Sequence, residues 1–152
     1  MQRTIILEAT PTLTVHANYV ANDYVGTSGA AMEFAGVVQM QNFRGTIFQS
    51  ILIDAAVQSI AGELWLFDAA PTPPADSAAW TVSDADAKHL LGIIPFTTYF
   101  ASAANSVSHG DKVGIPVTPA QGSKSIYGCL VTRGAPAYAS GDLTVRLFIW
   151  QD

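Results

Sequence analysis

In Leu143-Thr144-Val145-Arg146-Leu147-Phe148-Ile149-Trp150, an aliphatic residue occupies every second position. Successive side chains of an extended chain point to opposite sides, so Leu143, Val145, Leu147 and Ile149 share one face of a β-strand. The opposite face is not the polar one expected of a solvated sheet, because it carries Phe148 and Trp150. Outward from this stretch, runs rich in Ile, Val, Thr, Phe and Tyr recur at Thr4–Leu7, Thr12–His16, Val37–Gln41, Thr46–Asp54, Glu63–Phe67, Gly92–Phe100, Lys112–Val117 and Ser125–Arg133. Clusters of Gly, Pro, Asn, Asp and Ser separate them, which is the punctuation of a chain with about eight or nine short strands.

Apolar residues at three- and four-residue spacing are nearly missing, with one exception at Ser83–Leu91. There Ser83 predicts a helix N-cap with Asp86 three residues on, Asp84 and Asp86 suit the positive end of the helix dipole, and Lys88 and His89 suit the other end. About eight strands and one short helix in a single domain, residues 1–152, predict an all-β fold. The reading is an antiparallel β-sandwich, jelly-roll-like, with an immunoglobulin-like sandwich as the alternative. Pro95 and Pro116 fall inside strand-like runs and predict edge or bulged strands. Asn22–Gly29 and Asn105–Asp111 read as corner loops. The segment Ala69–Ala79 holds Pro71, Pro73 and Pro74 and is predicted to be extended, either as a surface loop or as an arm across a neighbouring subunit.

Only 12% of the 152 residues are charged while 49% are hydrophobic. A typical soluble domain carries roughly 25% charged residues, so much of this surface is neutral or hidden against other copies, the pattern of a part built for assembly. The 7 basic and 12 acidic residues give a net charge of −5, which argues against the basic stripe that nucleic-acid binding needs. The longest charge-free stretch, Leu90–Ser108, is broken by Pro95 and Asn105 and does not read as a membrane span. Ile5-Ile6-Leu7 is too short for a secretory signal. Neither nucleic acid nor membrane is expected as a partner. Cys129 is the only cysteine, which excludes an intrachain disulfide or a cysteine metal cluster, and its apolar neighbours predict a small buried hydrophobe.

The sequence has no nucleophile elbow, phosphate-cradling glycine loop, paired-histidine zinc helix or dinucleotide fingerprint. His16, His89 and His109 have no ligand spacing between any pair, and Asp68, Asp76, Asp84 and Asp86 match no calcium-loop pattern. No enzymatic activity, cofactor or metal site is expected. The informative constellation is aromatic. On Thr46–Asp54 strict alternation puts Ile47, Ile51 and Ile53 on one face and Phe48 and Leu52 on the other, while on Glu63–Phe67 Leu64 and Leu66 oppose Trp65 and Phe67. Strands apolar on both sides need cover from the chain's own loops or from another chain, and aromatic residues are enriched at interface cores. The interface candidates are Phe48, Trp65, Phe67, Phe148 and Trp150, with Pro71, Pro73 and Pro74 of the insert. Trp80, Tyr99 and Tyr138 are the rings that would serve a sugar in a carbohydrate-binding sandwich.

Several segments together resemble small structural proteins of tailed bacteriophages: Leu64-Trp65-Leu66-Phe67-Asp68, Pro71-Thr72, Ala75-Asp76-Ser77-Ala78, Ser83-Asp84-Ala85-Asp86, Leu91-Gly92-Ile93-Ile94, Tyr127-Gly128, and the ending from Asp142-Leu143-Thr144-Val145 to Gln151-Asp152. The resemblance covers roughly the C-terminal two-thirds, and residues 10–43 carry none of it. It implies a virion component, made in the host cytoplasm and placed on the capsid surface: a decoration or cement protein that binds the outside of the major-capsid lattice and reinforces it. Such proteins often have β-sandwich folds and assemble as dimers or trimers, so the implied partners are the major capsid protein and the chain itself. A tail, neck or fibre-associated component of the same kind of particle is the alternative.

Overall fold

The alternating runs fold into two antiparallel sheets packed face to face. The computed structural model describes residues 2–14, 17–112 and 114–152. In chain order the strands are β1 (Arg3–Ala9), β2 (Ala17–Asn18), β3 (Tyr24–Val25), β4 (Met32–Phe34), β5 (Gly45–Asp54), β6 (Gly62–Phe67), β7 (Leu90–Phe96), β8 (Tyr99–Ala101), β9 (Ser106–His109), β10 (Ile115–Val117), β11 (Ile126–Thr132), β12 (Ala137–Tyr138) and β13 (Leu143–Gln151). A short helix, α1 (Asp84–Ala87), lies between β6 and β7.

One sheet runs β1-β13-β5-β9-β8 with β10 also paired to β5, and the other runs β3-β11-β6-β7 with β4 also paired to β11. A two-stranded ribbon joins β12 and β2. Because β3 and β4 both flank β11, and β8 to β10 all lie on the far side of β5, they collapse to single positions. Eight positions result, with sheet orders 1-8-3-6 and 2-7-4-5. That is the order of a jelly roll, two interleaved Greek keys.

The core lies between the sheets, where Ile47, Leu52, Val145, Leu147 and Ile149 of one meet Leu64, Leu66, Ile94, Ile126 and Leu130 of the other. Gly128 sits in the middle of β11 because a Cβ there would lie 2.9 Å from Leu64 Cδ1 and 3.0 Å from Phe34 Cε2. At the rim, the buried Asp54 carboxylate accepts from the Ala56 and Ser59 N–H groups at 2.9 and 2.8 Å and pins the turn after β5. Asp54 also lies beside the buried Tyr138, whose phenol is held far above its ordinary pKa, first by burial and then by that carboxylate.

Local chemistry is realised closely at several points. Ser83 caps α1 and accepts from Asp86 N–H at 3.0 Å. Pro95 lies on the edge strand β7, and Pro116 lies on β10, which pairs β5 alone. Cys129 is buried, and its thiol is pushed up to about 12 by loss of solvent.

Other expectations are corrected. Ile47, Ile51 and Ile53 do not share a face, because the β5–β13 register shifts between Phe148 and Ile149. Ile47 pairs Ile149 while Gln49 pairs Phe148, so Phe48 is an extra residue, and this bulge inverts the parity of the rest of β5. Ile47, Ser50, Leu52 and Asp54 consequently point inward, and Phe48, Ile51 and Ile53 outward. The run Gly92–Phe100 is two strands, β7 and β8, which belong to different sheets. Val37–Gln41 is not a strand; Val37 and Val38 are buried from a bent segment. The stretch Asn105–Asp111, expected as a loop, contains β9, and Asn22–Gly29 contains β3. Residues 10–14 are irregular, and Val15 and His16 of the expected strand Thr12–His16 lie outside the described residues, as do Met1 and Val113.

Candidate docking surface

The two sheets treat their outer faces differently. On the β3-β11-β6-β7 sheet, register places Trp65 opposite Cys129 and Phe67 opposite Tyr127. These side chains form a second apolar cluster outside the main core, with Tyr24, Phe67 and Cys129 buried and Trp65, Trp80, Val82 and Leu90 packed around them. Its lid is the chain's own proline-rich insert. Trp80 reaches back over the sheet, with ring centroids 5.5 Å from Trp65 and 5.7 Å from Tyr24. Beside β3 the backbone zips to it: Tyr24 N–H donates to Ala78 O at 2.9 Å, Ser77 N–H to Tyr24 O at 3.0 Å, and Trp80 N–H to Asn22 O at 2.8 Å.

The insert is fastened by Asp76, a buried carboxylate. Its Oδ2 accepts from Thr14 N–H and Thr14 Oγ1, both at 2.7 Å, and its Oδ1 accepts from Tyr19 OH at 2.8 Å and Gly26 N–H at 3.2 Å. Burial first, and this hydrogen bond second, hold the Tyr19 phenol well above its usual range. Farther along the same face Glu63 accepts from Arg133 at 2.9 Å and from Trp65 Nε1 at 3.0 Å, and the Arg133 contact keeps its carboxyl below the ordinary value. Of the other acidic residues around the insert, Asp68 faces His89 at 2.6 Å, and the Asp86 carboxylate accepts from Thr72 N–H at 3.3 Å.

The outer face of the other sheet has no such lid among the described residues. The β5 bulge turns Phe48 outward, where its ring stacks on Trp150 with centroids 4.5 Å apart and planes at 20°, and meets Phe148 edge-on at 6.3 Å. Ile6 of β1 lies opposite Phe148. Toward the other edge, Ile51 and Ile53 lie opposite His109 and Val107 of β9, and Phe100 of β8 lies opposite Val107. Ile6, Trp150 and Phe100 stay 47%, 41% and 66% exposed, and Phe48, Ile51, Ile53, Val107 and Phe148 are half-buried. The outward apolar residues therefore form two groups, Ile6, Phe148, Phe48 and Trp150 toward β1 and Ile53, Val107 and Phe100 toward β8, with Ile51 between them opposite Arg146 and His109. One ion pair crosses the face: Arg146 lies 2.7 Å from Glu8, and its guanidinium sits 5.3 Å from the centre of the Phe148 ring.

Of the eight interface candidates, Phe48, Phe148 and Trp150 thus converge on one open face. Phe67, Pro71 and Pro73 are buried within the chain and Trp65 and Pro74 are half-buried, and the chain just after the insert, at Trp80 and Val82, packs on the outer cluster of this sheet. Ile6, Val107 and Phe100 join the face without having been singled out in the sequence, and Ile51 and Ile53, read there as sharing a face with Ile47, join it through the bulge. Ser106-Val107-Ser108 carried a usable signal, since small residues inward and one aliphatic outward is a strand pattern. The bulge carried none. The three rings weighed as a sugar platform are engaged internally: Tyr138 is 5% exposed, Tyr99 donates to Ile60 O at 2.8 Å, and Trp80 belongs to the lid.

Searched against protein-family models and against curated proteins, the chain matches none.

Proposed function

We propose that this chain is a non-enzymatic virion structural protein that binds the outside of a phage capsid lattice and stabilises it, with the major capsid protein and other copies of the chain as partners. The outer face of the β1-β13-β5-β9-β8 sheet is the surface that docks. One observation carries the reading: the chain folds its own insert over one doubly apolar sheet and leaves the other doubly apolar sheet uncovered. An aromatic centre of Phe48, Phe148 and Trp150, ringed by Gln49, His109 and the Arg146–Glu8 pair, has the layout of an interface with an apolar core and a polar rim. The sequence resemblance to phage structural proteins supplies the kind of particle, and the jelly roll is a fold in use among viral capsid domains.

Stabilisation follows from linkage. A protein that binds the assembled lattice and not its loosened form shifts the equilibrium toward the lattice by mass action. Completing the burial of a half-exposed Ile6 or Phe100 contributes about 1 kcal/mol each. A standard interface of about 800 Å² per partner then needs most of this face, not one ring.

Co-sedimentation with shells assembled from the major capsid protein of the particle this chain is proposed to belong to tests the reading. The wild-type chain is expected to travel with the shells and to raise their disassembly temperature, and Trp150→Lys to stay in the supernatant. Equal retention of Trp150→Lys, or no retention of the wild type, would overturn it.

A further inference from the structure

Sheet edges expose unpaired N–H and C=O groups, and proteins blunt them with prolines, bulges, short strands or cover. This chain does so at nearly every edge. β7 carries Pro95 and β10 carries Pro116, β8 is three residues long, and β3 is bordered by the insert. β1 is the exception in its backbone pairing, although β4 of the other sheet comes close to part of it. It runs seven residues, Arg3–Ala9, with no proline and no register shift, and it pairs β13 on one side only. Among the described residues, no backbone group of Arg3–Ala9 has a hydrogen bond other than those of that ladder.

We infer that β1 is the seam of a two-fold homodimer, in which the β1 edges of two copies pair antiparallel and the two sheets become one. A second copy is the occupant that fits, for three reasons. An isologous contact matches an edge to itself, and two identical strands related by a two-fold axis perpendicular to the sheet run antiparallel. Directly opposed residues in such a pair must point to the same side, so the residue numbers of each opposed pair sum to an even number. The register centred on Ile6 obeys this and pairs all seven residues, Arg3 with Ala9, Thr4 with Glu8, Ile5 with Leu7, and Ile6 with its own copy. It places the two half-exposed Ile6 side chains against each other and opposes no like charges. It also joins two apolar outer faces into one continuous surface, because Ile6 lies opposite Phe148.

The seam is independent of what the outer face docks onto, and its test uses the free full-length chain. Sedimentation velocity over a concentration series is expected to show a dimer, and Ile6→Lys, which sets two ammonium groups at the axis, a monomer that still unfolds in one cooperative transition, at a temperature that no longer rises with protein concentration. Mild oxidation of Ile6→Cys is expected to give a covalent dimer, since opposed Cα atoms of an antiparallel pair lie about 4.5–5.5 Å apart, within disulfide reach. Cys129 is buried and stays silent, and Phe100→Cys, across the sheet, supplies the collision background. A wild type that is monomeric at every concentration, or a dimer in which Ile6→Cys cross-links no faster than Phe100→Cys, would overturn the inference. Should Ile6→Lys fail to fold, the cross-link decides alone.

Discussion

Phe67 and Trp150 look alike in the sequence, each a large ring opposite an aliphatic face, and the fold gives them opposite tasks. Phe67 is wholly buried in the cluster against which Trp80 and Leu90 pack, whereas Trp150 remains 41% exposed on an open sheet. Truncation should separate them. Phe67→Ala is expected to cost about 3–5 kcal/mol, the range for emptying a well-packed aromatic site. Trp150→Ala loses mainly the stacking on Phe48 and is expected to cost about 1 kcal/mol. Urea unfolding of the two variants measures both, and equal losses would mean that the two faces are covered alike. The rings themselves were legible in the sequence as aromatic positions on strands. Which of them were free was not, because the cover on Phe67 comes from an insert joined to β3 by bonds distant in sequence.

At the scale of elements, the legible parts were those governed by neighbours in the chain. Ser83 and Asp86 announce α1, Pro95 and Pro116 announce edges, and the alternation of β13 announces its faces. The β5 bulge was invisible because it exists only relative to β13, and the irregular course of Val37–Gln41 reflects burial of Val37 and Val38, not their β propensity. The proline-rich insert shows how one polar residue fixes an element. Asp76 gathers donors from Thr14, Tyr19 and Gly26, so Asp76→Ala leaves the Tyr19 hydroxyl and the Gly26 N–H, both in buried residues, without their acceptor. A loss of about 3 kcal/mol or more is expected, together with new protease cleavage within residues 69–83. A loss under about 1 kcal/mol with the insert still protected would show that the prolines and Trp80 hold the lid without the carboxylate.

For the whole molecule, the shortage of charge and the two greasy sheets have a common explanation. A 152-residue jelly roll has two outer faces, and one insert covers only one of them. Apolar residues recur on the remaining face from Ile6 at one edge to Phe100 at the other, and the Arg146–Glu8 ion pair crosses it. Such a surface has a use when it is buried against something larger, and it is otherwise an aggregation risk. The most direct measurement is a cryo-electron microscopy map of shells reconstituted with the chain, at a resolution that orients the sandwich. The account predicts density on the outside of the shell with Phe48, Phe148 and Trp150 at the contact and the insert turned away. A sandwich bound through its insert-covered sheet, with those three rings facing solvent, would contradict it.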